Sequence, residues 1–81
     1  MRNEMINGIK EKIAMLDKEI NDIGILLSIN EEEYGRLYGE KRYHEAYHML
    51  LDGYAMSHYA ESLYKKFYGL QFQLERLSKE S

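Results

Sequence analysis

Proline, valine, threonine, tryptophan and cysteine do not occur in this 81-residue sequence. Each absence excludes something. Proline breaks helix interiors, and valine and threonine favour strands, so the chain has little with which to interrupt a helix or build a sheet. Without cysteine there is no disulfide framework, no thiolate nucleophile and no cysteine-based zinc site. No uninterrupted apolar run approaches the ~18 residues that a membrane-spanning helix needs. The opening MRNEMINGIKEK alternates charged and apolar residues, so a secretory signal is not expected and the cytoplasm is the expected location. Basic residues are sparse as well. Eleven Lys and Arg stand against fourteen Asp and Glu, a net charge of −3, and Lys41-Arg42 and Lys65-Lys66 are isolated pairs. Nucleic-acid binding draws most of its affinity from a basic face, so direct binding is not expected.

What remains is rich in Leu, Ile, Met, Tyr, Glu and Lys, an all-α composition for a single domain spanning 1–81. Ile6, Ile9, Ile13, Leu16, Ile20, Ile23 and Leu27 are spaced alternately three and four apart. That is an a/d heptad seam, with charged residues filling the intervals. Met56, Ala60, Leu63, Phe67, Leu70, Leu74 and Leu77 form a second seam of equal length. Paired antiparallel, Ile6 meets Leu77, Ile13 meets Leu70 and Leu27 meets Met56, every pair summing to one number and joining an a to a d. The rule continues through Asn30 with Gly53, Tyr34 with Met49 and Leu37 with Ala46. It predicts a long antiparallel helical hairpin, coiled-coil-like, with helices over 2–38 and 43–79 and a tight turn at 39–42, where Gly39 suits the helix C-cap.

A competing pattern sits inside the first arm. Ser28-x-x-Glu31 and Asn30-x-x-Glu33 both read as capping boxes, and three acids in a row suit a helix start. With Asp52-Gly53 as another turn, this gives a three-helix bundle over 2–28, 31–51 and 54–79; a hairpin kinked near 28–31 would blend the two.

In a hairpin, several large apolar residues fall outside the seam. Tyr43, Tyr47, Leu50, Tyr54, Tyr64 and Tyr68 recur at helical spacing on the second arm, widened by Leu51 and Phe72, while Ile25 and Ile29 point off the first. Exposed apolar patches mark interfaces, and tyrosine is favoured there. These ten residues are the expected contact surface, with Ile25, Ile29, Leu50, Leu51 and Tyr54 clustering near mid-length. A homo-oligomer is expected, a dimer first, because so short a chain has a thin core. A larger protein partner would cover the same residues.

One motif carries chemistry. His44-Glu45-Ala46-Tyr47-His48 matches His-Glu-x-x-His, in which two histidines four apart hold zinc and the glutamate is the general base. The extended form asks for glycine at 51 and histidine at 54, where the chain has Leu51 and Tyr54. A peptidase also needs a third ligand from a separate element and an edge strand for its substrate, and no strand is expected. Glu45-x-x-His48 matches the helix motif of di-iron bundles too, but the facing seam is Ile and Leu with no carboxylate. No Gly-rich phosphate loop exists. The expectation is therefore a non-catalytic protein–protein interaction module, needing no cofactor, that self-associates or acts as a small regulator or inhibitor of a larger protein. Two alternatives stand beside it: an inhibitor from a phage or mobile element acting on a host nucleic-acid enzyme, and a metal-binding helical protein using His44, Glu45 and His48.

Overall fold

The computed structural model describes residues 2–79, and these form two helices, α1 (Arg2–Gly39) and α2 (Tyr43–Lys79). They pack antiparallel as a rod whose Cα extents are 60 × 14 × 14 Å. Its radius of gyration is 18.2 Å, where a globular domain of this length would have roughly 12 Å. Neither helix breaks. α1 runs straight through 28–31 and α2 through Asp52-Gly53, so the three-helix alternative does not occur. The capping-box residues sit in mid-helix, because the Ile/Leu seam runs on unbroken through Leu27, Asn30 and Tyr34 to Leu37.

Burial follows the heptad. Along α1 the seam residues from Ile6 to Leu37 are buried or half-buried and nearly all others are exposed; on α2 the same holds from Ala46 to Leu77. Among the described residues only Ile9, Leu37, Ala46, Ala60 and Leu63 are buried, so the core is one side chain thick. Residue 30 confirms the pairing register. A Cβ added at Gly53 would lie 2.7 Å from Asn30 Oδ1, which puts Asn30 and Gly53 in one layer. The absent side chain lets Asn30 reach across and donate from Nδ2 to the Met49 carbonyl at 3.0 Å. A lone amide in an apolar seam is a device for fixing register. Gly53→Ala is expected to push Asn30 off that carbonyl and destabilise the hairpin, although alanine is the better helix former by about 1 kcal/mol. In an Asn30→Ala background the same change should stabilise. Urea unfolding of the four proteins measures the coupling, and simple additivity would refute the shared layer.

The turn differs from expectation in one respect. Gly39 is the last residue of α1 and has no positive φ; Lys41 takes the left-handed conformation instead, with φ 63°. The Arg42 N–H donates to Leu37 O at 2.9 Å and the Lys41 N–H to Tyr38 O at 3.0 Å, the paired bonds of a Schellman motif. Seam register decides which residue must reverse the chain. Once Leu37 and Ala46 close the last layer, the reversal falls on Lys41 whatever its side chain.

Charges chain across this end. The Arg36 guanidinium pairs with Glu33 and, at 2.7 Å, with Glu40; the Arg42 guanidinium pairs with Glu45 and reaches Glu40 at 3.5 Å. Hydrogen bonding from Arg36 holds the Glu33 carboxyl below its ordinary value. That contribution is therefore present at neutral pH and fades as acid is added through the lowered value. The rod from mid-length toward the turn is different: no Lys or Arg lies between Lys18 and Arg36 or between Arg42 and Lys65, so Glu19, Asp22, Glu31, Glu32, Glu33, Glu45, Asp52 and Glu61 form an acid-only belt.

Candidate interaction surface

Heptad position decides which side of the rod a residue occupies. Taking Ile6 as a, Tyr38 and Tyr43 are both e, and their rings meet edge-on with centroids 5.3 Å apart. The e positions of the two arms therefore share one flank. Glu19 and Tyr59 are both g, and the Tyr59 hydroxyl donates to Glu19 Oε2 at 3.3 Å, so the g positions share the other. Position b extends the first flank, c extends the second, and f points straight outward.

The tyrosines expected at an interface divide cleanly on this map. Tyr43, Tyr47, Leu50, Tyr54, Tyr64 and Tyr68 all occupy e or b on α2, a single ridge along the first flank. All of them are exposed except Leu50, which is half-buried. Tyr64 and Tyr68 stack with ring centroids 6.3 Å apart, which stiffens the ridge. Leu51, Phe72 and Ile25 occupy f and face outward, with Phe72 66% exposed. Ile29 occupies c and belongs to the opposite flank with Leu26 and Met15, all exposed. The expected mid-length cluster is thus separated: Leu50 and Tyr54 on one side, Ile29 on the other. Pair sums give the height of a residue along the rod but not its side. Tyr38 was missed as part of the ridge. It sits on α1, but its e position next to Tyr43 across the turn was available in the sequence.

The second flank is more highly charged. α1 alone contributes Lys12, Glu19, Asp22, Glu33 and Arg36 to it. On the first flank the charged residues are Lys10, Asp17, Glu31, Glu61 and Glu75 across both arms. An open groove of about 450 Å³ also lies on the second flank, between Lys12, Met15, Glu19 and Lys66, where Gly69 leaves the seam uncovered.

No protein-family model, curated protein or solved structure matches this chain.

The His-Glu-x-x-His residues lie near the turn. His44 and His48 are exposed, on f and c, with ring centroids 4.8 Å apart and planes perpendicular. Glu45 is engaged by Arg42, whose Nε donates to its Oε1 at 3.1 Å, and this raises the Arg42 pKa. Among the described residues no three His, Cys, Asp or Glu side chains converge on a metal position. Also among the described residues, no helix is long and apolar enough to cross a membrane.

Proposed function

We propose that this protein is a non-catalytic interaction module that binds protein through the tyrosine flank of α2. The observation carrying the reading is the ridge from Tyr43 to Tyr68, exposed along the less charged side of a rod with so little core of its own. Tyrosine gives large, rigid, amphipathic contact area at low entropic cost, which suits recognition. Catalysis would need converging groups in a dry cleft, whereas the surface offered here is convex and wet. The reading places the protein in the cytoplasm, as a small regulator or inhibitor.

A photo-crosslinking amino acid in place of Tyr54 or Tyr47 tests this in the native cell. Covalent adducts are expected from both positions, and far fewer from Met15 on the opposite flank. Adducts from Met15 and none from Tyr47 or Tyr54 would refute the assignment. Glu45→Gln is expected to leave adduct formation unchanged, and added zinc likewise; loss of adducts in either case would favour the metal-binding alternative.

The acid-only belt favours a second reading, in which the rod occupies the basic groove of a nucleic-acid enzyme. It predicts binding to such an enzyme that weakens as salt rises, with loss on substitution of Glu31, Glu32 and Glu33.

A further inference from the structure

We infer that the tyrosine flank is occupied by a second copy of this chain, related by a two-fold axis running along the rod, with both turns at the same end. The inference rests on the interaction reading above and specifies its partner.

Area comes first. The chain exposes 6349 Å², whereas an ordinary monomer of its 9.7 kDa mass exposes roughly 5,100 Å². The surplus, about 1,200 Å², exceeds the roughly 800 Å² that each partner buries in a standard stable interface. It follows from the rod's elongation, and a second rod laid alongside covers it.

Shape then selects how the second rod lies. On the tyrosine flank, along the ridge from Tyr43 to Tyr68, the b positions of α2 are Tyr47, Tyr54, Glu61 and Tyr68, with Glu75 beyond it. The register fixed by Asn30 and Gly53 sets these level with α1 residues 36, 29, 22 and 15. The α1 b positions next to those heights are Gly35, Ser28, Asn21 and Ala14. Each tyrosine at b thus has, at its own height on the other arm, a residue with almost no side chain; Tyr43 and Tyr64, at e, lie instead beside Tyr38 and near the height of Asp17, and Gly24 is the small residue on the e track. A two-fold axis along the rod sets α2 of one copy on α1 of the other without changing heights. Tyr54 then lands on Ser28 of the second copy, Tyr47 on Gly35 and Tyr68 on Ala14. The one charged ridge residue, Glu61, meets Asn21, whose amide N–H donates to a carboxylate. Lys10 falls between Gln71 and Glu75. The alternative axis, across the rod, lays ridge on ridge and track on track, which sets tyrosine against tyrosine over one pair of helices and leaves the small b residues of α1 facing one another over the other.

The geometry also agrees with helix packing. The flank lies about 90° around each helix from the seam, the direction of the second neighbour in a four-helix bundle. Every adjacent pair in the assembly is antiparallel. The acids of the belt lie mostly on f, g and c, and Glu31 and Glu61 are those on the covered flank.

The chain's lack of cysteine makes the test clean. One spin label on Glu40→Cys, beside the turn, is read by double electron–electron resonance, with mass measured by light scattering. A dimer with labels within about 30 Å is expected, since neighbouring helix axes sit about 10 Å apart. A dimer with labels near the 60 Å length of the rod would overturn the axis assignment. A monomer at high micromolar concentration would overturn the second copy altogether. If cellular adducts from Tyr54 then lead to a different protein, the interaction reading survives this failure. A pair of adjacent substitutions reports the flank. Ser28→Tyr fills the track and is expected to weaken dimerisation about tenfold or more, the scale of an overpacked small-to-large change. Ile29→Tyr, on the opposite flank, is expected to leave it unchanged. Equal effects of the two would overturn the proposal.

Discussion

Leu63→Ala is expected to remove about 3 kcal/mol of stability, most of what a domain of this size possesses. Leu63 is 2% exposed, matched among the described residues by Ala46 alone, and the seam sets it level with Ile20. The cost has two parts: the lost transfer of its methyl groups out of water, and the hole left where a one-layer core has nothing behind it to collapse inward. Leu51 is the control. It lies on the same helix, 43% exposed and facing outward, and Leu51→Ala is expected to change stability by less than about 0.5 kcal/mol. Urea unfolding followed by helical circular dichroism, at one fixed protein concentration, compares them. Similar midpoints for the two variants would refute the seam as the source of stability.

Lys41→Gly combined with Gly69→Ala is expected to stabilise the hairpin by about 2 kcal/mol. A lysine in the left-handed region carries a steric cost of about 1 kcal/mol that glycine does not. Gly69 lies inside α2 with a helical φ, and a Cβ there meets nothing within 4 Å, so alanine gains about 1 kcal/mol in helix propensity. The two sites lie far apart along the rod and should add. A thermal midpoint higher by several degrees is the expected reading. A lower midpoint for Lys41→Gly alone would mean that the turn's charge chain, from Glu33 through Arg36, Glu40 and Arg42 to Glu45, depends on the lysine side chain for its geometry.

The fold was largely legible because a period is a global property. The alternation of three and four over two long stretches, and one constant pair sum, located the helices and the turn nearly to the residue. What misled was local. Ser28, Asn30 and Glu31 to Glu33 carry the chemistry of a helix start, and that chemistry reads the same whether the chain turns or continues. Only the layer on either side of Asn30 decides between them, and there the amide reaches Met49 across the seam rather than capping its own helix. The left-handed residue was misassigned for a related reason. Glycine is the preferred occupant of such a position, but preference does not place the reversal; closure of Leu37 on Ala46 does. The candidate surface was legible as a set of residues. Its arrangement was not, because assigning sides requires the angular order of heptad positions around both helices together.

The acid-only belt has a practical side. Reagents that seek primary amines find lysines over the open half of the rod, as far as Lys18 and Lys65 near mid-length, and at Lys41 by the turn, and none between. Trypsin has no site between Lys18 and Arg36 or between Arg42 and Lys65, even in the unfolded chain. Carboxylate-directed coupling reaches what these miss. To amine chemistry the molecule is a rod labelled over its open half and at the turn, with a blank stretch between, and the paired segments holding Asn30 and Gly53 leave a digest as two long, uncut peptides.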